Sequence, residues 1–394
     1  MQTSSVVICT AKRTPLGAFL GSFSNMQAHQ LGAAAIAACL TEPKVDPMQI
    51  SEVLMGCVLS AGQGQAPARQ AVRKAGLPDS IGATTINKVC GSGMKAVMLA
   101  HDLLLAGNDG VIIAGGMESM SAAPHLLPHL RLGKKTGSAE VLDHMLTDGL
   151  EDAYDKGRPM GEFGEATAAK YGFDRTSQDQ YATETLRRAQ YAVSEGAFDN
   201  ECTPVTVSTR KGDIIVNRDE RPHQINPVKI PELKAAFGKN GTITPASSSA
   251  NADGAAALLL AREETALRDG LPILARIVGH AGHSQDPAWF TTAPIPAISK
   301  LLKEVGWQVS DVDLFEINEA FAVVAMAAAK ELHIPREKLN VNGGACALGH
   351  PIGASGARII TTLVYALKHR GLKRGVASLC IGGGEATAIA MEIV

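Results

Sequence analysis

Short apolar runs and longer helical patterns alternate along most of the chain. The runs VIIAGGME at 111–118 and SLCIGGGE at 378–385 each end in glycines and a glutamate. Each follows an apolar helical stretch, at 93–107 and at 356–371. A helix between two short apolar strands is typical of a βαβ unit with parallel strands. The pattern therefore predicts an α/β fold.

The two halves of the chain also resemble each other elsewhere. A helical stretch at 31–40 leads to the Ser-Glu-Val step at 51–53, and one at 297–306 leads to Ser-Asp-Val at 310–312. This match and the first keep nearly the same offset. Two matching copies predict a duplicated α/β domain. The alternative is chance similarity between two glycine-rich βαβ turns.

Between the halves, at 119–250, the character of the sequence changes. The segment begins with the His-, Pro- and Gly-rich SAAPHLLPHLRLGKKTG and continues with helical patterns at 165–172 and 176–196. Thr176, with Asp179 three residues later, is typical of a helix N-terminus. Two predicted strands around a Lys-Gly turn follow. We interpret the region as an insertion that covers a site.

Composition and charge narrow the classes of function. The 394 residues exceed one ordinary core, so we expect two or three packed units. A net charge of -2 does not favour nucleic-acid binding. We expect no membrane association, since the strongest apolar run, AFAVVAMAAA at 320–329, is far shorter than the roughly 20 residues of a membrane helix. The N-terminal MQTSSVVICTAKRTPLG lacks the pattern of a signal peptide.

The 7 cysteines are scattered and form no CxxC pair. This spacing argues against a disulfide framework and against a cysteine zinc site. We therefore expect a reducing, cytoplasmic setting and no bound metal.

Cys90 stands in NKVCGSGMKA, between a short β-like run and a helix. A helix N-terminus offers free N–H groups and a positive dipole end, which lower the pKa of a thiol and favour a nucleophilic role. Gly91 and Gly93 allow another backbone or a ligand to come close. The alternative is a buried structural cysteine, which is what most free cysteines are.

Three further polar residues stand at comparable corners of the pattern. His350 lies in the glycine-rich NGGACALGHPIGASGAR, Cys380 ends an apolar strand, and Asn318 follows the apolar VDLF. Ligands of open α/β sheets bind outside the carboxyl ends of the strands. Each residue alone also fits a structural role: a hydrogen-bonded turn histidine, a small core residue and a helix N-cap.

The combination of Cys90, His350, Cys380 and Asn318, each at a predicted turn between a strand and a helix, resembles the thiolase family. The resemblance covers nearly the whole chain. The segments that carry the resemblance are NKVCGSGMKAV, GGMESMS, NEAFA, GGACALGHPIGASGAR and CIGGGEA. The resemblance implies a layered α-β-α-β-α arrangement of two duplicated βα domains with an inserted loop domain. The implied division is an N-terminal core at 1–118 plus 251–269, an insert at 119–250 for CoA binding and oligomer contacts, and a C-terminal core at 270–394.

The resemblance also implies an acyltransferase that joins two acetyl-CoA into acetoacetyl-CoA and CoA, or runs the reverse thiolysis. Cys90 then holds the acyl group, His350 activates it, and Cys380 moves the alpha proton. The N–H groups of Cys90 and Gly382 form one oxyanion site. His350 and a water held by Asn318 form the other, and the substrates are CoA thioesters with no further cofactor.

The resemblance identifies the residues that contact CoA less directly than it identifies the catalytic residues. Ser249 matches the position against the pantetheine arm, and Arg221 is a candidate at the adenine end. Pro159 stands where many acetoacetyl-CoA thiolases have a histidine, so a polar contact in the acyl pocket is expected to be missing. The positions that match the lining of the CoA or acyl channel are Leu150, Met160, Phe237, Phe290, Ala320 and Phe321.

Two questions stay open at this point. The alternative activity is that of a broader-chain 3-ketoacyl-CoA thiolase of fatty-acid beta-oxidation. The implied assembly is a homotetramer, as a dimer of dimers, or a homodimer, with the stretch 127–145 at the position of the family's tetramer contacts.

Overall fold

Helices and strands alternate along residues 5–41 and 45–394, which are the residues that the computed structural model describes. The helices are α1 Ala28–Cys39, α2 Pro67–Lys74, α3 Ser92–Leu105, α4 Met160–Tyr171, α5 Arg175–Ser194, α6 Glu263–Arg268, α7 Pro294–Val305, α8 Ala322–Leu332, α9 Ala345–Leu348 and α10 Ser355–Arg370. The strands are β1 Val6–Arg13, β2 Gly17–Ala18, β3 Ile50–Gly56, β4 Gly82–Ile86, β5 Val111–Ser119, β6 His125–Leu126, β7 Leu142–Asp143, β8 Val205–Thr209, β9 Gly212–Val216, β10 Ala252–Arg262, β11 Ala275–Ser284, β12 Leu314–Ile317, β13 Arg374–Ile381 and β14 Glu385–Ile393.

The main sheet contains the same strand order twice. The first half runs β4-β3-β5-β10-β1 and the second runs β12-β13-β14-β11, and the halves join where β1 pairs antiparallel with β11. An isolated parallel bridge from Phe315 to Leu339 stands where β4 stands in the first half. The repeated order confirms the predicted duplication. Each matched pair of sequence segments lies on or beside equivalent strands, β3 with β12 and β5 with β13.

Helices cover both faces of the two half-sheets. Helices α1 and α2 pack on the outer face of the first half, and α7 and α8 on the outer face of the second. Helices α3 and α10 pack on each other between the halves, inside a core of buried aliphatic side chains. This is the five-layer α-β-α-β-α arrangement that the resemblance implied. The strands are mixed, because β10 and β14 run antiparallel to their neighbours.

The insertion falls between two equivalent strands of the repeat. Helices α4 and α5 and the hairpin β8–β9 lie between β5 and β10, whereas β13 and β14 are joined by a short glycine turn. The predicted start of the second insert helix is wrong by two residues, since Asp174 is the N-cap and accepts from the Ser177 N–H. We propose the domain division at 1–118 plus 251–269, 119–250 and 270–394 on the strength of this strand order.

Two further predictions concern the environment of the chain. In the described part of the chain, every helix is too short or too polar to span a bilayer. All seven cysteines are unpaired. The prediction that the N-terminus is not a signal peptide rests partly on residues 1–4, which lie outside the described residues.

Candidate active site

Cys90 lies on a strained turn between β4 and α3. Val89, the residue before it, has a φ of 45°, which a β-branched side chain rarely adopts. The Ser92 hydroxyl fixes the turn by accepting from the Lys88 N–H at 2.8 Å and donating to the Val89 carbonyl at 2.6 Å. The turn therefore holds Cys90 at the N-terminal end of α3, half-buried.

The Cys90 sulfur meets the end of β13, from the other half of the chain. The backbone N–H groups of Gly382 and of Cys90 itself lie close enough to this sulfur to lower the pKa of the thiol. The second thiol, Cys380, is fully buried and close enough for the charge of Cys90 to raise its pKa further above the value set by burial. Fold and turn thus bring Cys90, Cys380 and Gly382 together.

The thiol of Cys90 differs from the sequence expectation in one respect. Burial raises the pKa of Cys90 to about 11, which is more than the two N–H groups lower it. The expected lowering by the helix N-terminus is therefore outweighed. A thiol with this pKa needs a base at neutral pH before it can act as a nucleophile.

The raised pKa predicts how Cys90 reacts with iodoacetamide. We expect the alkylation rate of Cys90 to rise about tenfold per pH unit from pH 7 to 10, because the thiolate fraction does so below the pKa. Peptide mapping of quenched samples measures this rate. Glutathione in the same tube, with a pKa of about 8.5, levels off first and serves as the control. A plateau for Cys90 below pH 8 contradicts the prediction.

His350 lies in the loop between α9 and α10 and presents one ring nitrogen as a base. The Ser355 hydroxyl donates to the Pro351 carbonyl at 3.0 Å, so its oxygen accepts from His350 Nδ1–H at 2.5 Å. This fixes the neutral tautomer with the lone pair on Nε2, which has no partner among the described residues. Burial, reinforced by the Arg358 charge, lowers the pKa of His350 to about 3.

The His350 loop is docked onto the first half of the sheet by close backbone contacts. A Cβ at Gly116 would overlap the carbonyl oxygen of Gly353, and one at Gly56 would lie 2.7 Å from it. The buried Glu118 carboxylate accepts from the Gly353 N–H at 2.8 Å. It also accepts from the N–H groups of Val58 and Leu59 at 3.0 Å each. Glycine and carboxylate together bring this loop beside the Cys90 turn.

Gly116→Ala tests this docking. The added methyl group meets a backbone carbonyl, which cannot rotate away, so we expect a loss of about 3 kcal/mol in the free energy of unfolding, the upper end of the usual cost of overpacking, and a matching fall in melting temperature. Gly82→Ala on β4 is the matched control, since the nearest atom to its Cβ is Glu52 Cγ at 4.0 Å. Equal melting temperatures for both variants would refute the close packing.

Asn318 follows β12 and is buried, with its N–H donating to the Ser378 carbonyl at 3.0 Å. Its Oδ1 accepts from Arg358 at 3.4 Å, and its Nδ2 has no partner among the described residues. Arg358 also donates to Glu316 at 3.1 Å, and both side chains of this ion pair are buried. The pair therefore orients the Asn318 amide so that a donor is left free.

The predicted lining residues fall into two groups, one beside the thiols and one in the core around α8. Leu150 and Cys90 pack against the same apolar cluster, which includes Ile352 of the His350 loop. A Cβ at Gly382 would lie 3.6 Å from Met160 Sδ, which places Met160 beside the second thiol's strand end. The structure thus connects both residues to the catalytic candidates.

The other lining candidates belong to the core around α8. Phe237 and Phe321 pack edge to face, with 5.8 Å between ring centroids, and Ala320 accepts from the Ser249 N–H at 2.9 Å. Phe290 is buried against Phe163. Arg221 donates to the Pro245 carbonyl at 3.4 Å, so its contact is with the segment before Ser249 and not with the thiols.

Several residues of the site were not identified from the sequence. Glu118, Ser355 and Arg358 each make buried hydrogen bonds that hold a predicted residue or its loop. Glu118 carried a signal, because the internal repeat aligns it with Glu385. That glutamate is half-buried and pairs with Lys88 at 2.5 Å, so the repeat alone does not predict the different role of Glu118.

Comparisons with known proteins agree with this architecture. Residues 6–264 match the family model described as Thiolase, N-terminal domain, and residues 271–393 match Thiolase, C-terminal domain. Together these matches span nearly the whole chain. The chain therefore belongs to the thiolase family.

Similar proteins carry one recurrent name. An "Acetyl-CoA acetyltransferase" of Schizosaccharomyces pombe is 46% identical over 396 residues, covering 100% of both chains. "Acetyl-CoA acetyltransferase 2" of Arabidopsis thaliana is 48% identical, covering 99% of this chain and 97% of that one. The crystal structure of the Bacillus anthracis acetyl-CoA acetyltransferase superposes with a TM-score of 0.97 at 39% identity, over 100% of this chain and 99% of that one.

Proposed function

We propose that the chain is an acetyl-CoA C-acetyltransferase that condenses two acetyl-CoA into acetoacetyl-CoA and CoA, reversibly, through an acetyl-Cys90 intermediate. The observation that supports the proposal is that the Cys90 sulfur lies near the N–H groups of Gly382 and Cys90 and near the second buried thiol, Cys380. Relatives at nearly half identity over their full length carry that name.

The first half-reaction transfers the acetyl group to Cys90. His350 Nε2 takes the thiol proton while the sulfur attacks the thioester carbonyl, so that the Cys90 thiolate does not have to form ahead of the attack. The N–H groups of Cys90 and Gly382 hold the oxyanion. As the tetrahedral intermediate collapses, the departing CoA sulfur takes the proton of Cys380. The products are CoA, acetyl-Cys90, an imidazolium at His350 and a thiolate at Cys380.

The second half-reaction forms the carbon–carbon bond. The Cys380 thiolate removes an alpha proton from the second acetyl-CoA, and the enolate oxygen accepts from His350 Nε2–H and from a water held by Asn318 Nδ2. The enolate carbon attacks acetyl-Cys90, and the departing Cys90 sulfur recovers its proton from His350. Cys380 keeps the alpha proton, which returns both thiols to their starting state. In both half-reactions the reacting groups are the thioesters of the substrates and side chains of this chain.

A direct assay tests the activity. The purified chain, incubated with acetyl-CoA, is expected to gain one acetyl group on the Cys90 peptide, and with acetoacetyl-CoA and CoA to release acetyl-CoA. The broader-chain alternative is separated by kcat/KM for acetoacetyl-CoA against a medium-chain 3-ketoacyl-CoA. Equal or higher kcat/KM for the longer substrate would reject the short-chain proposal and favour the alternative.

We propose a homotetramer in which the stretch 127–145 makes contacts between subunits. Four large apolar side chains of this stretch are exposed, namely Leu127, Leu130, Leu132 and Val141, and so is Leu146 directly after it. Exposed apolar side chains concentrated in one segment are typical of an interface. Light scattering behind gel filtration measures the mass, and a monomer would contradict the proposal. A cytoplasmic location, which suits seven unpaired thiols, completes the proposed setting.

A further inference from the structure

Two imidazoles and a carboxylate converge at the end of α3 that lies away from Cys90. His101 Nδ1 lies 3.2 Å from Asp102 Oδ1, and His280 Nε2 on β11 lies 2.8 Å from the same oxygen. The three ligand atoms all lie within 4.8 Å of one another. The rings meet edge to face, with 4.9 Å between their centroids. None of these side chains has a part in the proposed acetyl transfer.

We propose that His101, Asp102 and His280 form a binding site for a divalent transition-metal ion of the Zn²⁺ type. Donors about 2.0–2.1 Å from a tetrahedral Zn²⁺ lie about 3.3 Å apart, so the 3.2 Å from His101 to Asp102 already fits and the His280 ring, at 2.8 Å, has to move by about 0.5 Å. Two imidazole nitrogens and one carboxylate oxygen are ligands that suit Zn²⁺, Co²⁺, Ni²⁺ and Cu²⁺ and do not suit Mg²⁺ or Ca²⁺. The ion replaces the ring protons that Asp102 otherwise accepts.

The surroundings favour an ion at this place. The His101 side chain is buried and packs edge to face on the His280 ring, so both imidazoles are held in place for an ion. The Asp102 side chain is 51% exposed, so the site opens to solvent and leaves room for a water as the fourth ligand. Helix α3 belongs to the first half of the chain and β11 to the second. A bound ion therefore links the halves and stabilises the fold.

The test is a Co²⁺ titration of untagged, chelator-treated full-length protein, followed by visible absorption, with Zn²⁺ added in competition. We expect one equivalent of Co²⁺ to bind, His280→Gln to weaken binding at least about tenfold, and Zn²⁺ to raise the melting temperature of the parent more than that of the variant. His283→Gln is the matched control, because His283 lies on the same strand but bonds to Gln285. It is expected to bind like the parent.

The active-site thiols are the competing ligands, and the design separates them. Ligation by Cys90 gives a thiolate-to-cobalt band in the near ultraviolet that disappears after alkylation with iodoacetamide, whereas ligation by imidazole and carboxylate gives no such band. If His280→Gln does not fold, Asp102→Asn replaces it, since the amide oxygen still accepts from one ring. Binding that is unchanged in the variant, or lost on alkylation, overturns the proposal.

Discussion

Cys90→Ala is expected to abolish both the uptake of an acetyl group and the cleavage of acetoacetyl-CoA, with a fall in kcat of at least about 10⁴-fold. Without the Cys90 sulfur there is no atom that can carry the acetyl group. The N–H groups of residue 90 and Gly382 then have neither a thiolate nor an acyl group to stabilise. Intact-mass measurement after incubation with acetyl-CoA detects the intermediate, and a coupled assay measures turnover. An acetylated, active Cys90→Ala protein would refute the assignment.

Cys380→Ala separates the two thiols. We expect this variant still to take an acetyl group on Cys90, more slowly because the departing CoA lacks its proton donor, while condensation falls about 10²- to 10⁴-fold. Cys9→Ala is the matched control, since Cys9 is an equally buried thiol on β1 in a different part of the core. Its activity should equal that of the parent. Acetyl transfer that resides wholly on Cys380 would reverse the roles.

The sequence predicted the elements that carry these thiols because their signals are local. The helix predicted at 93–107 is α3, Ser92–Leu105, and the one predicted at 356–371 is α10, Ser355–Arg370. Apolar periodicity and flanking glycines set both. The sequence also predicted the repeated strand order, because a duplicated fold leaves two matching copies in one chain.

The parts of the site that sequence reasoning missed depend on burial and on distant partners. The helix start at Cys90 predicted a lowered thiol pKa, but the degree of burial, which outweighs it, appears only when β13 packs against the turn. In the sequence, Arg358 is the one charged residue of the otherwise mostly apolar stretch 356–367. Arg358 can donate to Glu316 and Asn318 only because α10 packs against β12, and no local sequence pattern specifies that packing.

The largest expected effect on stability is that of Arg358→Met. The change leaves the buried Glu316 carboxyl without its cation, and once that carboxyl is ionised this costs about 3–5 kcal/mol in the free energy of unfolding. Burial, opposed by Arg358, already raises the pKa of Glu316 to about 8. An acid whose folded pKa is raised binds its proton more tightly when folded, so its contribution to stability is lost as pH rises through that pKa. Without Arg358 the pKa of Glu316 rises further, so the destabilisation caused by Arg358→Met is expected to be greater at pH 9, above the pKa of the parent, than at pH 6.

A double variant separates stability from positioning. Glu316→Gln with Arg358→Met removes both charges, so most of the stability is expected to return. Activity is expected to stay about 10- to 100-fold below the parent, because Asn318 Oδ1 still lacks the guanidinium that orients its amide. Arg370→Met on the same helix, which removes a guanidinium bonded to Asn342 at 2.9 Å, controls for the loss of an arginine. Full recovery of kcat in the double variant would mean that Arg358 supports the fold and leaves the orientation of Asn318 to its Ser378 contact.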